Sequence, residues 1–231
     1  MVTVVHQTDL YRPHQDPDDH WDLACQYALA KLGRQRLGGI LLDYPYEGGP
    51  GDPDICAIAQ MNRICGMNVP YGIGAEPGKT LSQAAELLLS VLAESPVPVA
   101  VHIVGSCIDV ALALNAQPER FERNCAAIYL HAGAAQDDRQ LEYNVALAPW
   151  AYARVHAAPC PVYWLPCFHR VPDWGKEDMR IGKHGTFYRF VQGDILRELP
   201  PRVQNYFLYM FTRCANPRYL MALEQPVDKA A

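Results

Sequence analysis

VTVVHQTDLYRPHQDPDDHWD, residues 2–22, runs from an apolar, β-branched segment straight into a turn crowded with carboxylates. Asp9, Asp16, Asp18, Asp19 and Asp22 all fall within it, and a helical pattern follows. VTVV is strand material, because Val and Thr are stiff at χ1 and fit a pleated surface. Like charges are thus concentrated at a strand-to-helix junction. Two readings compete for them. In one, the turn is a solvated loop whose Asp18 or Asp19 caps the helix near His20, with Pro17 preset for a helix start. In the other, the turn holds a cation. Capping employs one or two carboxylates and leaves the others unexplained.

Working outward, apolar runs of strand length recur: VTVVHQ (2–7), GGILLDY (38–44), VPYGIG (69–74), VPVAVHIVG (97–105), AAIYLHA (126–132) and PVYWLP (161–166). Most are continuous rather than alternating, which suits strands buried on both faces of a parallel sheet. Helical patterns lie between them. Cys25, Leu29 and Leu32 form one stripe; Leu81, Ala84, Ala85, Leu88 and Leu92 form another, opened by Thr80 and Gln83 as a capping box. Further helices are expected from about Ile108 to Leu114 and from Pro149 to Ala157. Strand–helix alternation implies an α/β fold, an open and mostly parallel sheet with helices on both faces. The expected core is residues 1–170. Residues 171–231 begin with the Gly- and charge-rich RVPDWGKEDMRIGKHG and read as a helical extension packed on the same domain.

Composition removes several classes of function. The chain has 231 residues, half of them apolar, enough for one full α/β domain. A net charge of −5, with no Lys/Arg-rich run, argues against nucleic acid as partner. VTVV is too short for a signal-peptide core, and no apolar run approaches a membrane span of ~20 residues. The eight cysteines include no CxxC pair, so they are expected to be mostly reduced, buried thiols in a cytoplasmic protein; zinc lacks its usual ligand spacing.

In open α/β sheets ligands bind beyond the carboxyl ends of the strands. Asp9 and the acidic turn fall on that edge, as do Asp43 and Tyr44, Ser106 to Ile108, His131, and Phe168 with His169. Clustered carboxylates raise one another's pKa, and a hard cation reverses the effect. Ca²⁺, with ~6–8 oxygen ligands, suits such a turn better than Mg²⁺, which demands a tighter octahedron. Asp9 from the strand end, Asp19 from the helix start and the backbone carbonyl of Ile108 are the candidate protein ligands.

These residues resemble a known family. Thr8-Asp9 followed by Asp16-Pro17-Asp18-Asp19 is similar to the Asp-rich signature of the nucleoside hydrolases, in the form carried by divergent members of the inosine/uridine-preferring type. VPYGIGAEP (69–77), VHIVGSCIDVALALNAQPERF (101–121), AAIYLHAGA (126–134) and LEYNVALAPWAYARV (141–155) resemble further segments of that family in the same order. The likeness covers residues 3 to 168. It implies a metal-dependent N-glycosidase acting on a ribonucleoside or related N-ribosyl compound. Asp9 would be a Ca²⁺ ligand and the general base for the attacking water. Asp19 would be a second ligand, and Ile108 would lend its carbonyl. Asp18 would bind a ribose hydroxyl, and Glu142 and Asn144 would hold the far side of the sugar.

The departures are specific. LYRPHQ separates Asp9 from Asp16, so either could take the first metal position, and the strand-end location favours Asp9. Asp43-Tyr44-Pro45 stands where the family has an asparagine, and Ile108-Asp109 replaces a Thr-Asn pair. The family's late His-Asp has no match, and Asp228 lacks its context. This leaves a chain shortened at its C-terminus, or a relative with incomplete catalytic equipment. The alternative function is therefore a sugar- or nucleoside-binding protein using the same pocket. Either way the partner is a small molecule, with room for a homo-oligomer and no role for a membrane. Among the histidines, His131 reads as a satisfied imidazole before it reads as a donor to a leaving group; His14 and His20 flank the acidic turn, and His169 is a further candidate acid. Tyr206, Phe207, Tyr209 and Phe211 read as core.

Overall fold

The computed structural model describes residues 1–10, 17–44, 53–76, 78–133, 141–166, 191–210 and 218–228. Asp16, His14, Phe168, His169, Phe211 and the whole Gly-rich stretch of residues 170–185 lie outside them. Six strands form one sheet: β1 (Val2–Thr8), β2 (Gln35–Leu42), β3 (Tyr71–Ile73), β4 (Val99–Ile103), β5 (Cys125–Leu130) and β6 (Val162–Trp164). Their order is β3-β2-β1-β4-β5-β6, and every pairing is parallel. The helices are α1 (Asp18–Lys31), α2 (Pro53–Cys65), α3 (Gln83–Glu94), α4 (Ile108–Ala116), α5 (Pro118–Asn124), α6 (Tyr143–Leu147), α7 (Pro149–His156), α8 (Gln192–Glu198), α9 (Pro201–Met210) and α10 (Tyr219–Ala222). No described helix is long and apolar enough to cross a membrane.

Side chains alternate across each strand, so the sheet feeds two cores. Val5, Val101, Ile103, Ile128 and Leu130 pack under α3, α4 and α7. On the other face Leu37, Ile40 and Leu42 pack under α1, α2 and α9 with Leu23, Tyr27, Ile58, Tyr206 and Phe207. Tyr206, Phe207 and Tyr209 are buried, as the sequence led us to expect. The chain winds outward from β1 to β3, then crosses through α3 to β4 on the other side of β1. The two halves diverge between β1 and β4. That divergence is a topological switch point, and a crevice opens there beyond the strand ends.

Three local expectations are corrected. The stripe of Cys25, Leu29 and Leu32 is exposed, and α1 instead buries Asp19, His20, Leu23 and Tyr27. Part of its inward face is polar, so apolar spacing pointed to the wrong side. Helix α3 starts at Gln83 and is capped by Ser82, whose hydroxyl accepts from the Ala85 N–H at 2.9 Å, in place of Thr80. The described cysteines are free thiols, but Cys25 is exposed and Cys65 and Cys160 are half-buried.

Candidate functional site

β1 delivers Thr8 and Asp9 to the crevice, and α1 brings Asp19 back against them. Asp19 lies in the first turn, where the positive helix end favours a carboxylate, yet it caps nothing in its own helix. Its Oδ2 accepts from Thr8 Oγ1 at 2.5 Å, the Asp9 N–H at 2.9 Å and the Leu10 N–H at 3.1 Å. These bonds hold Leu10 at φ 40°, a left-handed conformation that a Cβ-bearing residue adopts at a cost. Neither Asp18 nor Asp19 caps α1 with its side chain; Pro17 occupies that position, and Asp18, exposed, accepts from the Asp19 N–H at 2.8 Å.

Asp9 and Asp19 are both buried, and their carboxyls hydrogen-bond to each other. Two carboxylates in that relation share one proton. Burial, then the Asp19 charge, pushes Asp9 up to about 11, with Asp43 and Asp18 adding to the effect. Burial alone would raise Asp19 too, but hydrogen bonds from Asp9 and Thr8, and then His6, hold it below the usual carboxylate range. Without a cation, Asp9 is therefore the neutral member at pH 7.

A second carboxylate ties the neighbouring strand ends together. Asp43, just past β2, accepts from Gln7 Nε2 at 2.5 Å, from Ser106 Oγ at 2.7 Å and from the Ser106 N–H at 2.8 Å. Gln7 Oε1 in turn accepts from the Gly105 N–H at 3.0 Å. A Cβ at Gly105 would lie 2.9 Å from Asp43 Oδ2 and 3.0 Å from the Asp9 nitrogen, so glycine is what allows the β4–α4 loop to come this close to β1. Asp109 does the same for the loop after β3, accepting from the Ala75 N–H at 3.0 Å and Ser82 Oγ at 2.5 Å. Burial, then the Asp43 charge, pushes it up to about 7.

Asp9, Asp43, Ser106, Ile108, Asp109 and Tyr143 line one small cavity of about 20 Å³, room for a single water or ion. Ile108 thus stands beside Asp9. Glu142 and Asn144 sit at the start of α6, the helix that also contributes Tyr143. Glu142 accepts from the N–H groups of Gly133 at 2.8 Å, Asn144 at 2.9 Å and Val145 at 3.3 Å. A carboxylate has about four acceptor sites, so one remains among the described residues. Asn144 Nδ2 donates to the Val104 carbonyl at 3.1 Å, and its buried Oδ1 has no donor among the described residues. His131 is exposed on the same edge; burial lowers its pKa, against the pull of Asp19 and Glu142. His20 is fully buried against Tyr206 and lies in the core of this face.

The donor chemistry suits a hard cation, since Asp9 and Asp19 offer carboxylate oxygens side by side out of water, and no soft ligand intervenes among the described residues. The number is smaller than expected. No three or more His, Cys, Asp and Glu residues form a metal-binding group among the described residues. Asp19 has also committed Oδ2 to three donors.

No protein-family model and no curated protein sequence matches the chain. Solved structures do. The inosine-uridine preferring nucleoside hydrolase of Bacillus anthracis superposes with a TM-score of 0.60 over 97% of this chain and 81% of its own, at 15% identity. An inosine-guanosine nucleoside hydrolase gives 0.62 over 96% and 78%, at 14% identity. This is a nucleoside hydrolase-like fold. At such identity the likeness is one of fold. The type III effector XopQ, solved with adenosine diphosphate ribose, matches 71% of this chain and 56% of its own, with a TM-score of 0.51 at 18% identity.

Within the nucleoside hydrolase-like fold, the sequence pointed to Asp9, Asp18, Asp19, Ile108, Glu142 and Asn144; Asp18 is exposed at the start of α1, and the other five lie on one rim. It gave no role to Gln7, Asp43, Ser106 or Asp109, which brace that rim. For Gln7 and Asp43 the signal was weak but present: a polar residue at the end of an otherwise apolar strand, where water is scarce, has to be hydrogen-bonded.

Proposed function

We propose that the chain is a metal-assisted N-glycosidase that hydrolyses the bond between ribose and base in a ribonucleoside or related N-ribosyl compound. The observation that carries the reading is the buried Asp9–Asp19 pair at the switch point between β1 and β4. The solved neighbours named for inosine, uridine and guanosine, and the one solved with adenosine diphosphate ribose, have N-linked ribose in common. That shared part supports a ribosyl substrate.

A Ca²⁺ ion held by Asp9, Asp19 and the Ile108 carbonyl would grip the sugar diol and make water more acidic. The remaining work falls to the chain's own groups. Asp19, anchored through Oδ2, keeps Asp9 in place. Asp9, once ionised, takes the proton of the attacking water, a role worth ~10²–10⁴ in rate. Cleavage builds positive charge on the sugar ring, which buried carboxylates stabilise. Asn144 Oδ1 and the remaining acceptor site of Glu142 receive sugar hydroxyls, and the exposed Asp18 receives another.

A second reading, binding of a nucleoside or sugar without turnover, is favoured by a donor set that stops at two carboxylates among the described residues. Calorimetric titration with CaCl₂ and MgCl₂, followed by a ribose-release assay on inosine and uridine, separates the two. The expected result is Ca²⁺ binding that Asp9→Asn abolishes, with Ca²⁺-dependent ribose release. Binding of metal and nucleoside without release would transfer the case to the second reading. No metal binding by the folded protein would end the metal-assisted proposal.

A further inference from the structure

Away from this site, two cysteines meet at the other end of the sheet. Cys125 opens β5, and Cys160 lies in the lead-in to β6. Along β5, Val99 pairs with Cys125 but Ala100 pairs with Ala127, so one extra residue, Ala126, is inserted. The bulge breaks the alternation of faces. Cys125 therefore joins Ile128 in the core under α3, α4 and α7, and Cys160 and Val162 pack against that same core from the neighbouring strand. Ile128 pairs with Val162, and its N–H donates to the Pro161 carbonyl at 2.9 Å, which fixes the register beside Cys160.

Neighbouring strands lie ~4.8 Å apart and rise ~3.3 Å per residue. A diagonal pair one rung apart is then separated by roughly 6 Å at Cα, within the range that a disulfide spans. The Cys125 S–H donates to the Ala127 carbonyl at 3.5 Å, and the two sulfurs lie near enough for each thiol to shift the other. Pro159 and Pro161 flank Cys160 and restrict its backbone.

The thiols are not equivalent. Cys125 is buried, whereas Cys160 is half-exposed. Interaction with the Cys125 thiol draws Cys160 below the ordinary thiol value, against its burial; the same interaction, and burial, push Cys125 up. The accessible sulfur is thus the better nucleophile, and the protected one keeps its proton.

We infer that Cys125 and Cys160 form an oxidisable dithiol, in which Cys160 reacts with hydroperoxides and Cys125 resolves the product to a disulfide. In the first step the Cys160 thiolate attacks the peroxide O–O bond and becomes a sulfenic acid, while the departing oxygen takes a proton and leaves as water from hydrogen peroxide or as an alcohol from an organic hydroperoxide. In the second, Cys125 Sγ attacks the Cys160 sulfur; an S–S bond forms, the S–O bond breaks, and the Cys125 proton leaves with the hydroxyl as water. Two thiols are oxidised and one hydroperoxide is reduced. The product ties the edge strand β6 to β5.

The test treats the folded chain with hydrogen peroxide, blocks the remaining thiols by alkylation in denaturant, and maps the peptides by mass spectrometry. The expected product is a Cys125–Cys160 cross-linked peptide, with a higher thermal midpoint that dithiothreitol reverses. Cys125→Ser should stop at a sulfenic acid on Cys160, trapped by dimedone, and Cys160→Ser should leave Cys125 reduced. The inference is overturned if both residues are recovered alkylated under conditions that oxidise the exposed Cys25, or if the link forms only after unfolding. The wild-type measurement decides this even if a variant fails to fold.

Discussion

Replacing Asp19 separates anchoring from charge. In Asp19→Ala the Thr8 hydroxyl and the N–H groups of Asp9 and Leu10 lose their shared acceptor. Hydrogen bonds to a charged group contribute ~1.5–3 kcal/mol each. Two effects offset the loss: the repulsion on Asp9 disappears, and the turn at Leu10 can relax, returning part of the ~1–3 kcal/mol that such a conformation costs. The net destabilisation should be about 3–5 kcal/mol, the range found when one member of a buried charged network is removed. Asp19→Asn keeps an oxygen for the three donors and turns its amide towards Asp9. It should stay within about 1 kcal/mol of wild type. Urea denaturation in chelator, fitted with a common m-value, measures both. For a chain of this size the alanine variant should melt roughly 6–20 °C lower and the asparagine variant within about 4 °C of wild type. Equal losses in the two variants would refute the anchoring argument, because then the charge, and not the three donors, would be what the turn depends on.

Two further outcomes follow from the same geometry. Asp9 is raised in the folded chain, so from about pH 4 upward the folded state binds the extra proton and stability falls as pH rises, until the folded group ionises near its pKa of about 11. In chelator, Asp9→Asn should therefore be more stable than wild type by a margin that grows from pH 4 to pH 8, and Ca²⁺ should reverse the order; a margin independent of pH would contradict the shared-proton description. Glu142→Ala should cost about 1 kcal/mol through loss of the α6 cap, whereas Glu142→Gln, which keeps an acceptor oxygen, should cost only a few tenths in chemical denaturation.

The sequence by itself determined the strands and their parallel sense. Continuous runs such as VPVAVHIVG and AAIYLHA can be satisfied only by burial on both faces, and the helical segments between them force crossovers. It also determined that Asp9 follows a strand directly, on the edge beyond the carboxyl ends of the strands. The face of α1 was not legible, because its buried side carries Asp19 and His20 beside Leu23 and Tyr27, and a partly polar inner face defeats hydrophobic spacing. Only the tertiary structure decided that β4 lies beside β1, which makes the switch point, sets Asp43 on Ser106 and Gln7, and brings Asp109 to Ala75. The physical reason is range. Periodicity and capping are settled within a few neighbouring residues, whereas a carboxylate's partner and its protonation are settled by whatever chain the fold lays beside it out of water.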